Sequence, residues 1–419
     1  MKSLKFLCFA VVSVLFSCTQ EVKFFDTTQD PLQVNSKVSP TPANVPVYAK
    51  DRLIIQYKPG VSAAKKATLR HRYRVLEYVS CALCPEENIE LWIFGSGINI
   101  ENQSISIQTG SGGPEGLILN IDNEFNFLIE NEGNTGIDGS YVTSFTSQIV
   151  PGNNGVTLAV LDTGVDVNFP VFDTPFLYNA QYDAVGGESS GWDFVNNNDN
   201  CYDDFPLVHG TMVTYVINRN LKNLGIPHQI IPVKVSDHNG VASYFNILCG
   251  LNYALPRAHI VQMSLGWYDL DNTDNFVNDI FTNLIETYQE QTLVVTSAGN
   301  QFYDNDNVAH YPSNYPAENL LAIAAANEGL SNTASFSNYG RTNVDFYAPG
   351  EHIVFYDMGM SPMYISGTSY AAPHAAARAA QLMYDSGMSL TPAAMISLID
   401  ATATPISYSK LVKYRKLID

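Results

Sequence analysis

A strand-like run from Val156 to Leu161, apolar but for Thr157, ends on Asp162-Thr163-Gly164 and constrains this chain more than any other feature. Such a run, closed by a turn signal, reads as a buried strand. It delivers an acid at its carboxyl end, the edge along which open α/β sheets hold ligands. Asp before Thr-Gly is also common in turns, and the segment alone favours that plainer reading. Two other segments pose the same choice. His209-Gly210-Thr211 opens a helix whose apolar face is Met212, Val213, Val216 and Ile217, and a lone histidine there is ordinarily structural. Ser366-Gly367-Thr368-Ser369-Tyr370-Ala371-Ala372-Pro373 opens an Ala-rich helix through about Met383. Ser369 then sits at a helix amino end, where free N–H groups and the dipole favour negative charge. The plainer reading is an N-cap serine. Each plain reading stands singly; the three together do not.

Asp162, His209 and Ser369 follow one another at spacings of 47 and 160 residues. That order, Asp then His then Ser, is the subtilisin order, and the chain resembles the subtilisin family in its motifs as well. The matching blocks are Ala159-Val160-Leu161-Asp162-Thr163-Gly164, His209-Gly210-Thr211-x-Val213 and Gly367-Thr368-Ser369-x-Ala371-Ala372-Pro373-His374. Val294-Val295-Thr296-Ser297-Ala298-Gly299-Asn300 resembles the family strand that ends in the oxyanion-hole asparagine, here Asn300. Val261-Gln262-Met263-Ser264-Leu265-Gly266 resembles the strand lining the substrate groove. The likeness covers roughly 150 to 400. It implies a serine endopeptidase acting through an acyl-enzyme, with Asp162, His209 and Ser369 catalytic. It also implies substrate contacts at Ser264, Leu265, Gly266, Ala298 and Gly299. The implied fold is a subtilisin-like three-layer αβα domain with a mostly parallel sheet. A catalytically inactive, surface-binding relative is the alternative. The chain departs from the family pattern at Thr214-Tyr215, where a small pair is usual, at Trp267 after Gly266, and at Ala377 in the serine helix.

The chemistry explains these residue types. A serine hydroxyl needs a base within hydrogen-bond reach before it attacks a carbonyl carbon. A histidine base needs a buried acceptor on its other ring nitrogen. The oxyanion that forms needs preorganised donors, here the Asn300 amide and the Ser369 N–H. An extended peptide adding as a strand beside Ser264 to Gly266 would gain register from main-chain hydrogen bonds.

The rest of the chain reads as export and restraint. Lys2 and Lys5 precede an apolar run from Phe6 to Phe16 that ends at Leu15-Phe16-Ser17-Cys18, a signal peptide over 1–18. The Leu-x-Ser-Cys ending resembles a bacterial lipoprotein box with Cys18 as the lipidated residue; simple secretion is the alternative. The protein is therefore expected in the cell envelope, touching a membrane only through its anchor. Residues 19–49 form a polar tether broken by Pro31, Pro40, Pro42 and Pro46. A small α/β unit over 50–135 has a helix from Ser62 to Tyr73 and strand-like runs at Leu53 to Tyr57, Val75 to Val79, Leu91 to Phe94, Leu117 to Ile121 and Phe125 to Ile129. It resembles the family's inhibitory, I9-like propeptide and implies a zymogen; a permanent accessory domain is the alternative. A linker over 136–150 separates it from the peptidase-like domain at 151–419, with any release point near 133–150.

Cys81 and Cys84 at C-x-x-C spacing are expected to pair locally, with Cys201 and Cys249 joined or simply buried. A zinc site lacks a second matching pair. Asp193, Asp199, Asp203 and Asp204 make an oxygen-rich loop before His209, a possible calcium site or a solvated acidic loop, and no cofactor is required. With 41 acidic against 22 basic residues the formal charge is −19, which excludes a polyanion partner and leaves polypeptides as substrates. Oligomeric state is not legible.

Overall fold

The computed structural model describes residues 46–84, 88–109, 116–129, 146–152, 155–182, 188–270 and 279–418. The leader, Cys18 and most of the tether lie outside them, as does linker segment 136–145.

The amino-terminal unit holds β1 (Val47–Tyr57), α1 (Ala63–Arg72), β2 (Val75–Ser80), β3 (Ile89–Phe94), α2 (Ile100–Thr109) and β4 (Ile118–Leu128). Ser62 caps α1 by accepting from the Lys65 N–H. The strands lie antiparallel in the order β2-β3-β1-β4. Alternation along β1 divides its burial: Leu53, Ile55 and Tyr57 join Trp92 and Phe94 in a local core, while Ile54 joins a core shared with the larger domain. The two expected strands at Leu117 to Ile121 and Phe125 to Ile129 are one strand, β4. Asp122 and Glu124, which look like a polar break, are 2% and 3% exposed and point their carboxylates at the larger domain.

The larger domain contains β5 (Val156–Asp162), β6 (Trp192–Asp193), α3 (His209–Asn223), β7 (His228–Lys234), β8 (Val241–Ser243), α4 (Tyr244–Ala254), β9 (Ile260–Met263), β10 (Trp267–Asp269), α5 (Asp279–Thr287) and β11 (Leu293–Ser297). It continues with β12 (Ala309–Tyr311), β13 (Leu320–Ala326), β14 (Phe346–Pro349), β15 (Ile353–Tyr356), β16 (Pro362–Ile365), α6 (Thr368–Asp385), α7 (Pro392–Thr402), β17 (Thr404–Pro405) and β18 (Lys416–Leu417). Nine strands form a sheet in the order β17-β18-β14-β13-β11-β9-β5-β7-β6, and every pairing but β17 with β18 is parallel. The near-continuous apolar character of β5 follows from burial on both faces. Leu158 and Val160 share a core with α3, α6 and α7, and Ala159 and Leu161 share one with α4 and α5. This is the expected three-layer α/β architecture. Each fully buried Leu, Ile or Val contributes about 1.5–3 kcal/mol.

The two parts meet along β4. It pairs antiparallel with β8, Asn126 opposite Ser243 and Leu128 opposite Val241, so the small sheet runs into the larger domain. Glu124 accepts from the Phe245 N–H at 2.9 Å and the Ser243 hydroxyl at 2.6 Å, at the start of α4. Asp122 accepts from the Ile280 N–H at 3.2 Å, at the start of α5, and from the Tyr244 hydroxyl at 3.1 Å. Helix starts carry unpaired N–H groups and the positive end of the dipole, so a carboxylate suits them. Burial nevertheless outweighs these bonds and pushes the carboxyls up, Asp122 to about 8 and Glu124 to about 7. Phe125 stacks on Tyr244 at 4.5 Å, and Trp267 meets both Phe125 and Phe127 at 5.2 Å.

The expected local cysteine pair is not formed. Cys81, just past β2, is joined to Cys249 on α4, with 5.2 Å between their α-carbons, and Cys84 and Cys201 are buried free thiols. β4 lays the small unit against α4, which brings Cys249 to the end of β2.

Candidate active site

Three neighbouring parallel strands, β5, β9 and β11, bring their carboxyl ends together, and each ends in candidate residues. Asp162 closes β5, Ser264 to Gly266 follow β9, and Ala298 to Asn300 follow β11. The helices α3 and α6 start at the same edge, with His209 and Ser369 in their first turns.

Asp162 and His209 form a fully buried pair. The Asp162 Oδ1 lies 2.7 Å from His209 Nδ1 and also accepts from the Thr163 N–H at 2.7 Å. Their approach depends on Gly210. A Cβ there would stand 2.3 Å from the Gly164 carbonyl oxygen and 3.0 Å from the Asp162 Cβ, so no larger residue lets α3 begin so close to β5. The Gly210 N–H donates to Thr163 Oγ1 at 2.9 Å, and Lys234 Nζ holds the Thr163 carbonyl at 2.6 Å. Val208 turns the chain onto His209 with φ of 43°, a left-handed backbone that costs a β-branched residue about 1–3 kcal/mol. Burial lowers the imidazole pKa, but Asp162, with Asp203 behind it, outweighs burial and holds it above the ordinary histidine value.

Around Ser369 the backbone is tied on both sides. Ser264 Oγ donates to the Ser369 carbonyl at 2.7 Å, and the Ser369 hydroxyl donates to the Ser264 carbonyl at 3.3 Å. His209 Nε2 has no hydrogen-bond partner, so the serine–histidine link is not made here. Rotation of a serine hydroxyl about χ1 is a small step, and such links commonly tighten when substrate binds. Asn300 Oδ1 accepts from the Thr368 N–H at 2.9 Å and the Thr368 hydroxyl at 2.8 Å, which leaves the amide NH2 as its unengaged end. Ser264, Leu265, Ala298, Gly266 and Gly299 are all buried. Behind the two glycines lies His310, whose ring atoms stand 2.5 Å from the site of a Cβ on Gly266 and 3.1 Å from one on Gly299.

Two of the sequence departures, Tyr215 and Trp267, pack against aromatic rings. Tyr215 packs edge-on to Phe355 at 5.2 Å on the far side of α3. Trp267 is fully buried in the seam with Phe125 and Phe127. Thr368 stands in the serine motif, but its bonds to Asn300 were not legible there, and His310 carries no motif of its own in the sequence. Asp203 was visible only as a possible metal ligand; its Oδ2 accepts from the Thr211 N–H at 2.9 Å and hydroxyl at 2.7 Å and pins the first turn of α3. The other acids of that loop have separate partners: Asp193 takes the Val195 and Asn196 N–H groups, Asp199 the Ser189 hydroxyl, and Asp204 the Lys234 ammonium. Among the described residues no three His, Cys, Asp or Glu side chains gather to hold a metal ion.

Residues 153–414 match the Subtilase family. The chain belongs to that family. The thermophilic serine proteinase of Bacillus sp. (strain AK1) is 34% identical over 250 residues, 57% of this chain and 55% of that protein. The cell wall-associated protease of Bacillus subtilis (strain 168) is 29% identical over 67% of this chain and 29% of that one. This subtilase thus spans about half, or less, of the length of these relatives. A crystal structure of the epidermin leader peptide processing serine protease from Staphylococcus aureus superposes with a TM-score of 0.60 at 16% identity, covering 88% of this chain and 96% of that one. That likeness speaks to the fold alone. No helix among the described residues is long and apolar enough to cross a membrane.

Proposed function

We propose that this subtilase is an exported serine endopeptidase, made as a zymogen, in which Ser369 attacks the scissile carbonyl. His209 takes the serine proton and later gives it to the leaving amine, and Asp162 fixes the imidazole tautomer and stabilises its charged form. The Asn300 NH2 and the Ser369 N–H hold the oxyanion. Ser264 to Gly266 and Ala298-Gly299 take the substrate backbone on either side, so unfolded or looped segments are the favoured substrates. The observation that carries this reading is the buried 2.7 Å contact of His209 with Asp162, at the strand edge where α6 presents Ser369. The small unit acts as the zymogen domain, and the cut that ends restraint falls near 133–150. Cys18 anchors the mature chain to a membrane through lipid.

One observation favours the rival reading of an inactive binding relative: the Ser369 hydroxyl is engaged by Ser264, not His209. Digestion of a denatured protein, followed by mass spectrometry of the products, separates the two. The endopeptidase reading expects internal cuts by the wild type and none by Ser369→Ala. Cutting that is absent, or unchanged in Ser369→Ala, would sink it.

A further inference from the structure

The seam between the small unit and the peptidase domain holds three of the chain's cysteines. Cys81 and Cys249 are bonded across it, 168 residues apart in sequence, in the one disulfide among the described residues. Cys84 lies beside them, its thiol 3.4 Å from the Cys249 carbonyl oxygen. A cleft of about 410 Å³ opens along the seam, and Cys81, Cys249, Arg52, Glu124, Asp237 and Phe245 are among its lining residues.

A linker cut alone would turn the small unit into a separate molecule, held without a covalent bond by contacts such as the β4–β8 pairing, the helix-start carboxyls, the Gln56–Asn283 hydrogen bond and the packing of Phe125 on Tyr244 and Trp267. A covalent tie removes that possibility. It holds the unit at an effective concentration on the order of millimolar, so dilution cannot carry it off.

We propose that Cys81–Cys249 is a redox latch: it retains the small unit after the linker is cut, and a dithiol reductant entering by the cleft opens it. The opening step is thiol–disulfide exchange. One thiolate of the reductant attacks the Cys81 sulfur, and the Cys249 sulfur leaves as a thiolate and takes up a proton. The second thiolate of the reductant then displaces Cys81 as it closes its own disulfide. The protein gains two thiols, and the reductant loses two electrons and two protons. Cys84 does not open the latch from within while the seam is closed. Burial pushes its thiol up to about 12, and the protonated form is not a nucleophile. The effect of the latch on activity rests on the zymogen reading; its chemistry does not.

The test uses the full chain with a specific protease site inserted between Gly133 and Ser140, purified without reductant and then cut. On a denaturing gel without reductant the two fragments are expected to run as one, with Cys81 joined to Cys249 in peptide mapping. Added dithiol reductant, or Cys249→Ser, parts them, whereas Cys84→Ser leaves them joined. The comparison of wild type with and without reductant stands even if Cys249→Ser fails to fold. Specific activity of the cut protein stays constant on dilution without reductant and rises at least about tenfold with it. Fragments that separate without reductant, or a map that joins Cys81 to Cys84, would overturn the latch. A crosslink that holds while activity ignores dilution under reductant contradicts the zymogen reading and leaves the latch standing.

Discussion

The proposed catalytic edge and the seam with the small unit are built from the same parts, a buried carboxyl group facing the start of a helix, yet the groups they face differ. At the edge, Asp162 faces His209 in the first turn of α3, a titratable ring that the proposed mechanism uses as its base. At the seam, Glu124 and Asp122 face the first turns of α4 and α5 and meet only N–H and hydroxyl donors. The carboxyl group there is an anchor. What a buried acid does is set by the group it faces.

The largest effect should come from the edge. Loss of the Ser369 hydroxyl in Ser369→Ala should cost on the order of 10⁶ in kcat, the scale subtilisin itself shows, with the binding of a peptide inhibitor little changed. Asp162→Asn keeps the shape and loses the tautomer, and about 10⁴ in kcat is expected. Asn300→Ala should cost about 10² to 10³ in kcat with KM nearly constant, the value known for the equivalent donor in subtilisin. A rise in KM alone would move Asn300 from the oxyanion to ground-state binding.

The seam is expected to respond differently, in stability and not in chemistry. Phe125→Ala removes a ring stacked on Tyr244 and edge-on to Trp267 and should cost about 3–5 kcal/mol of docking, read as retention of the small unit in a linker-cut Cys249→Ser protein. Docking should also depend on pH. The Asp122 and Glu124 carboxyls titrate near 8 and 7 when docked and in the usual carboxylate range near 4 when free, so docking takes up protons. The gain is full below about pH 4 and is lost as pH rises through about 7 to 8. Docking that tightens over that span would show the helix-start bonds winning over burial.

The smallest effect separates an anchoring from an electrostatic role within one residue. Asp203 anchors the first turn of α3 through Thr211 and also raises the His209 pKa. Since the base must be neutral, activity should fall as pH drops through that raised value. Asp203→Asn should move this acid limb to lower pH. An unmoved limb with a lower melting temperature would make Asp203 an anchor only.

The same contrast decides what the sequence made legible. Asp162, His209, Asn300 and Ser369 stand in motifs because their neighbours are fixed too: Gly210 by close approach, and Thr368 by its bond to Asn300. The alternation of β5 between two cores accounts for its near-continuous apolar texture and made the three-layer fold readable. The seam has no such local signature. The gap between the two expected strands falls on Asp122-Asn123-Glu124, whose acids are satisfied by groups more than a hundred residues away. For the same reason the C-x-x-C spacing suggested a local bond, while the partner of Cys81 is carried on α4.

The central claim is that Ser369 is an activated nucleophile at the catalytic edge. Intact-mass analysis after a fluorophosphonate probe, on protein cut at the linker and reduced, tests it most directly. The account predicts one adduct per chain, mapped to Ser369 and absent in Ser369→Ala and His209→Ala. No adduct on the wild type, or one that persists in Ser369→Ala, would contradict it.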